Sequence, residues 1–99
     1  MPYKLIDPNA DVDYPFDWRP FLDDGGSPSD TIDTSEWIIT PQTESPQQPD
    51  MHGAYNIGGI TAIFVRGCIE GQTYRLTNRV VTTQGRTDDR SITLLCRNR

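Results

Sequence analysis

An all-β fold, an antiparallel sandwich of about seven strands, follows from three features of this 99-residue sequence. Its apolar segments alternate with period two, and none longer than one turn follows a helical period. Glycine, proline and short polar clusters punctuate these segments at strand-length intervals. The third feature is the stretch from Glu70 to Cys96, which reads as one long hairpin. Tyr74, Leu76 and Val80 alternate on one side of its first strand, and Ile92, Leu94 and Cys96 on one side of its second.

In chain order, Met1 to Ala10 is a short arm outside the domain. Tyr3-Lys4-Leu5-Ile6 is suited to adding a strand to a sheet edge, and Asp7-Pro8-Asn9 ends it as a turn. Val12, Tyr14, Phe16 and Trp18 alternate with Asp11, Asp13, Pro15 and Asp17, so residues 11–22 read as the first strand of the sandwich. Pro15 and Pro20 confine it to a sheet edge, because neither donates a ladder hydrogen bond. Residues 23–30 are loop. Thr31 to Thr40 is β-branched and aromatic and forms the second strand, with Ile32 and either Trp37 or Ile38 in the core. A ladder break near Thr34-Ser35 lets Ile32 and Trp37 share a face.

Pro41 to Asp50 contains Pro41, Pro46 and Pro49 and no hydrophobe, which predicts an exposed loop or a very irregular edge, with the greatest mobility of the chain. Met51 to Asn56 holds a short strand around Ala54-Tyr55. After Gly58-Gly59, Ile60 to Arg66 is the most apolar run and belongs at the centre of a sheet. Its inner face is either Ala62, Phe64 and Arg66 or Thr61, Ile63 and Val65, the second set being favoured. In the hairpin that follows, even-numbered residues must face even-numbered ones, since a slip of one residue would send Ile92 and Leu94 into water. Asn78 then falls on the inner face. Residues 83–88 supply a glycine and self-bonding polar side chains, so the reversal needs no other support. Tyr74, at the first residue of a strand after a glycine turn, stands where immunoglobulin-like sandwiches use a tyrosine hydroxyl to lock a corner. The domain therefore runs over residues 11–97, followed by a basic tail at 98–99.

Hydrophobic residues make up 34% of the chain and mean hydropathy is −0.60, a lean composition that predicts cover from neighbouring subunits. No run of about 18 apolar residues exists for a membrane span, and the N-terminus lacks a signal-type apolar core, which predicts a cytosol-like compartment. Residues 1–50 carry eleven acids against Lys4 and Arg19, a net of −9, while residues 51–99 carry a net of +4. That split suits a dipolar surface that orients the protein against a charged neighbour or a copy of itself, although solvated acidic loops with arginines on the outer face of a sheet are the favoured reading, and no nucleic acid is predicted.

Catalytic chemistry is not expected. His52 is the only histidine, reads as a loop residue, and lacks a neighbouring nucleophile and base. Asp11, Asp13, Asp17, Asp23, Asp24 and Asp30 lack calcium-loop spacing and are expected to be solvated. No metal and no cofactor are predicted. Trp18, Trp37, Tyr14 and Tyr55 could form a sugar platform, but in so lean a chain Trp18 and Trp37 are needed as core. Cys68 and Cys96 are too few for zinc and are expected as near neighbours with free thiols.

The segments DYPFDWRPFL, DTIDTSEWIIT and TYRLTNRVVTTQGRTDDRSITL together resemble a family of small tailed-bacteriophage proteins, the phage fibre–tail adaptors. Residues 41–59 depart from the family pattern, and the cysteines lie outside its motif. The resemblance implies an immunoglobulin-like sandwich located in the virion, assembled in the host cytoplasm and without catalytic residues. Its partners would be other virion proteins of the tail, the neck or connector, the fibre or the capsid, with multiple copies in a symmetric assembly. Tyr3, Leu5, Ile6, Pro41, Pro46 and Pro49 are the expected partner contacts, and Tyr74, Trp18 and Trp37 the expected structural residues. A capsid-decoration protein and a carbohydrate-binding module are the alternatives.

Overall fold

Strand pairing divides the chain between two sheets. The structure, a computed structural model, describes residues 3–23, 30–41 and 49–97. In order these form β1 (Tyr3–Ile6), β2 (Asp11–Asp17), α1 (Arg19–Asp23), β3 (Ile32–Pro41), β4 (Asp50–Ile57), β5 (Ile60–Arg66), β6 (Thr73–Thr82) and β7 (Thr87–Cys96). One sheet has the order β1-β7-β6-β3 and the other β2-β5-β4. Tyr14, Ile63 and Val65 from the three-stranded sheet share a buried cluster with Tyr74, Leu76 and Leu94 from the four-stranded one. The two sheets therefore close on one another as a sandwich, with the smaller cluster of Phe16, Trp18, Leu22 and Val80 beside α1.

The hairpin register is that required by the two apolar sets: Tyr74 faces Leu94, Leu76 faces Ile92 and Asn78 faces Arg90. β5 is the central strand of its sheet, and Thr61, Ile63 and Val65 are buried on its inner side. β2 lies at a sheet edge, as Pro15 demands. The ladder break in β3 falls between Ile32 and Thr34, and it returns Ile32 and Trp37 to the same side. Ile39, two residues after Trp37, is the buried isoleucine of this strand, whereas Ile38 points outward.

Several expectations are corrected. The sandwich is not wholly antiparallel, because β1 runs parallel to β7 with Ile6 beside Cys96. Ile6 is fully buried in the core, so this member of the arm is not available to a partner. The first strand stops at Asp17, and Arg19 to Asp23 forms a short helix. Asp17 terminates the strand by accepting the Arg19 N–H and pairing with the Arg19 guanidinium, and that pairing holds its carboxyl down at about 2. Pro20 is compatible with the first turn because no intrahelical partner is missing there, and Leu22 N–H closes the turn on the Trp18 carbonyl. His52 lies in strand β4, not in a loop. Cys68 and Cys96 are joined in a disulfide with a Cα–Cα distance of 6.1 Å. Of the proline-rich segment, Pro46 lies outside the described residues and Pro49 is buried.

Candidate interaction surfaces

Buried polar groups explain why this sandwich has defined outer faces. Asn78 sits on the inner side of β6, fully buried, and every hydrogen-bonding site of its amide is used. Its Oδ1 accepts from Trp18 Nε1 at 2.9 Å and from the Thr61 hydroxyl at 2.6 Å. Its Nδ2 donates to Ser35 Oγ at 2.8 Å and to the Glu36 carbonyl at 3.0 Å. One amide thus ties β3, β5, β6 and the residue that follows β2 across the sandwich. Trp18 is held from its other side by Arg90, whose guanidinium lies 4.3 Å from the indole centroid.

A second buried polar centre closes the far end of the hairpin. The Asp30 carboxylate, fully buried as a side chain, accepts from Thr31 N–H, Gln84 N–H, the Thr83 hydroxyl and Arg86 Nε. Burial opposes ionisation of Asp30, but hydrogen bonds from Thr82, Arg86, Thr31 and Gln84 outweigh it and hold the carboxyl below the usual carboxylate range. Arg86 also donates to the Phe21 carbonyl and lies over the Phe21 ring. The β6–β7 turn spans residues 83–86, with Gly85 at φ 86°, and it depends on this support from outside the hairpin. No spacing rule distinguishes Asp30 from Asp23 or Asp24, so the sequence carried no signal for it.

Tyr74 is fully buried, and its hydroxyl accepts the Ile69 N–H at 3.1 Å, five residues upstream. Trp18 is core, and Trp37 is half-buried with its ring edge-on to Phe16 at 5.3 Å. Of Trp18, Trp37, Tyr14 and Tyr55 only Tyr55 is exposed, so these four do not form a flat sugar platform.

With its interior satisfied, the molecule offers two outer faces. On the three-stranded sheet, Asp11, Asp13 and Asp17 project outward along β2. His52 Nε2 lies 2.8 Å from Asp11, the Tyr55 hydroxyl donates to Asp13, and Arg66 pairs with Asp50. His52 also stacks on Phe64 at 5.3 Å. The acidic residues are therefore knitted to neighbours within the face. Among the described residues, no group of three or more acidic, histidine or cysteine side chains is arranged to hold a metal ion. On the four-stranded sheet, Tyr3 and Leu5 of β1 project from an edge at 64% and 46% exposure, and they register beside Thr93 and Leu95. Among the members of the predicted contact set whose side chains are described, Tyr3 and Leu5 are the exposed ones.

The model of one family, described as podophage GP4 fiber-tail adaptor protein gp77, matches residues 7–95. The chain belongs to this family. It is accordingly a structural protein of a bacteriophage, of the adaptor class, and not a member of an enzyme family. No curated protein matches the chain. The matched region of the adaptor runs from the turn after β1 nearly to the end of β7, so the three-stranded sheet, β3, β6 and nearly all of β7, and both buried polar centres fall within it, while β1 does not.

Proposed function

We propose that this adaptor links tail or neck to fibre proteins in the virion through protein–protein contacts, as one of several copies in a symmetric assembly. The family membership supports that role. The observation that carries the contact is the pair Tyr3 and Leu5, two large apolar side chains left exposed on an edge strand whose third apolar member, Ile6, is locked into the core. An edge strand anchored at one residue and apolar on its outer face suits docking against another protein, because the docking surface is already ordered and costs little conformational entropy. The immunoglobulin-like description of the fold is part of the same reading. It is supported by the neighbours β2-β5-β4 and β3-β6-β7, which correspond to the B-E-D and C-F-G strands of such sandwiches. The Tyr74 hydroxyl bond adds to it.

The test replaces Tyr3 and Leu5 together by serine in the full chain. The double variant is expected to keep the wild-type unfolding midpoint, since both side chains are outward, and to be depleted from purified particles. Normal incorporation of the folded variant would move the contact surface away from β1.

A further inference from the structure

Among the described residues the two sheets end in four edge strands, β1, β2, β3 and β4, and β1, β2 and β4 are each short, proline-bearing or broken in mid-strand. β1 is only four residues long. β2 carries Pro15, which has no N–H to offer a further strand, and is lined by Asp11, Asp13 and Asp17. β4 breaks register between His52 and Tyr55, with Gly53 at φ 64°. β3 differs. After its irregularity at Asp33 it pairs with β6 without a break from Thr34 to Pro41, and it carries no proline before Pro41 and no lysine or arginine. Among the described residues nothing pairs with this edge, and an uninterrupted edge of that length is a template for another strand, with Asp33 and Glu36 restricting which strand it accepts.

A notch of about 250 Å³ lies beside this edge, lined by Asp33, Ser35 and Trp37 of β3 and by Ala54, Tyr55 and Asn56 of β4. It opens between the edges of the two sheets, where the inward side chain of an added strand would enter. On the outward side the same strand would meet Ile38, which is 39% exposed. Alternate side chains would thus find an apolar neighbour on each side. The charges on β3 narrow the occupant. Asp33 and Glu36 are present without any cation on the strand, so a second copy of β3 would bring only carboxylates to the pair, which is unfavourable.

We propose that the β3 edge from Thr34 to Thr40 is a strand-addition site for an extended segment of a different virion polypeptide, apolar at alternate positions and carrying a lysine or arginine opposite Asp33 or Glu36. The identity of that partner class rests on the adaptor reading, while the site itself rests on the edge. Cryo-microscopy of the intact particle tests both separately. The expected map shows a strand of another polypeptide hydrogen-bonded alongside β3. A bare β3 edge, or one paired with a second copy of this chain, overturns the proposal wherever in the particle the chain sits. Absence of the chain from the tail–fibre junction overturns the adaptor reading instead. As a second measurement, replacing Ile38 and Thr40 together by lysine should lower incorporation into particles about tenfold or more. Ile57→Lys, on the β4 edge, should not. Equal incorporation of both folded variants counts against the site.

Discussion

Asn78 shows how a single buried amide specifies the alignment of two sheets. Apolar packing between sheets tolerates sliding, but four directed hydrogen bonds from one side chain are satisfied in only one arrangement. Asn78→Ala leaves the Trp18 and Thr61 donors and the Glu36 carbonyl with fewer partners and opens a small cavity. It should cost about 2–4 kcal/mol of unfolding free energy, measured by urea titration. A loss below about 1 kcal/mol would mean the network relaxes onto other partners. Asp30 gives a pH signature. Its folded pKa is below the unfolded value of about 3.9, so the ionised carboxylate contributes stability above that value. The contribution declines as pH falls through the unfolded value and is lost below the folded one. Urea midpoints measured between pH 7 and pH 2 should therefore drop more steeply below about pH 4 for wild type than for Asp30→Asn. Parallel acid limbs would remove Asp30 from that role. The inward position of Asn78 was legible from the parity of β6, but its partners were not, because alternation along one strand says nothing about what faces it from the other sheet.

At the scale of elements, the hairpin was legible because its strands are long and alternate, and the central strand because its residues form one continuous apolar run. Short elements were not. Residues 18–22 continue the apolar alternation of β2, yet the strand ends where Asp17 captures the Arg19 N–H and guanidinium, a local contact that outweighs periodicity over so few residues. The disulfide was hidden for another reason. An assumed reducing compartment argued for thiols, whereas the hairpin register and the turn after β5 bring Cys68 to the end of β7. It joins the segment following the three-stranded sheet to the last residue of β7 in the four-stranded one. Closing a loop of sequence separation 28, it should contribute roughly 3.5 kcal/mol. Cys68→Ala with Cys96→Ala should lower the unfolding free energy by about that amount, and reduction of the wild-type protein should reproduce the change. Tyr74→Phe, at the same end of the molecule, should cost roughly 0.5–1.5 kcal/mol through the loss of the acceptor for Ile69 N–H.

At the scale of the whole molecule, the charge split of the sequence is only partly kept in the fold, since Asp33 and Glu36 of the acidic half join the four-stranded sheet and Arg66 of the basic half the three-stranded one. The outward acids of β2 lie on the three-stranded sheet, while Arg75 and Arg79 lie on the four-stranded one, where Arg79 pairs with Asp89. The two outer faces are therefore chemically unlike, as suits a protein that meets different neighbours on different sides. The N-terminal segment joins this division to the core. Read from sequence it is an arm, because four residues between a terminus and an Asp7-Pro8-Asn9 turn carry no sign of their pairing partner. In the fold it covers the β7 edge and inserts Ile6 beside Cys96. Two variants separate its contributions. Deleting residues 1–6 removes a fully buried isoleucine and uncovers β7, and it should cost about 2–5 kcal/mol, with faster amide exchange in residues 93–96. Tyr3→Ser with Leu5→Ser should leave stability and exchange near wild type. If the deletion also left stability unchanged, β1 would be detachable, and the strand edge presented to the virion would be that of β7.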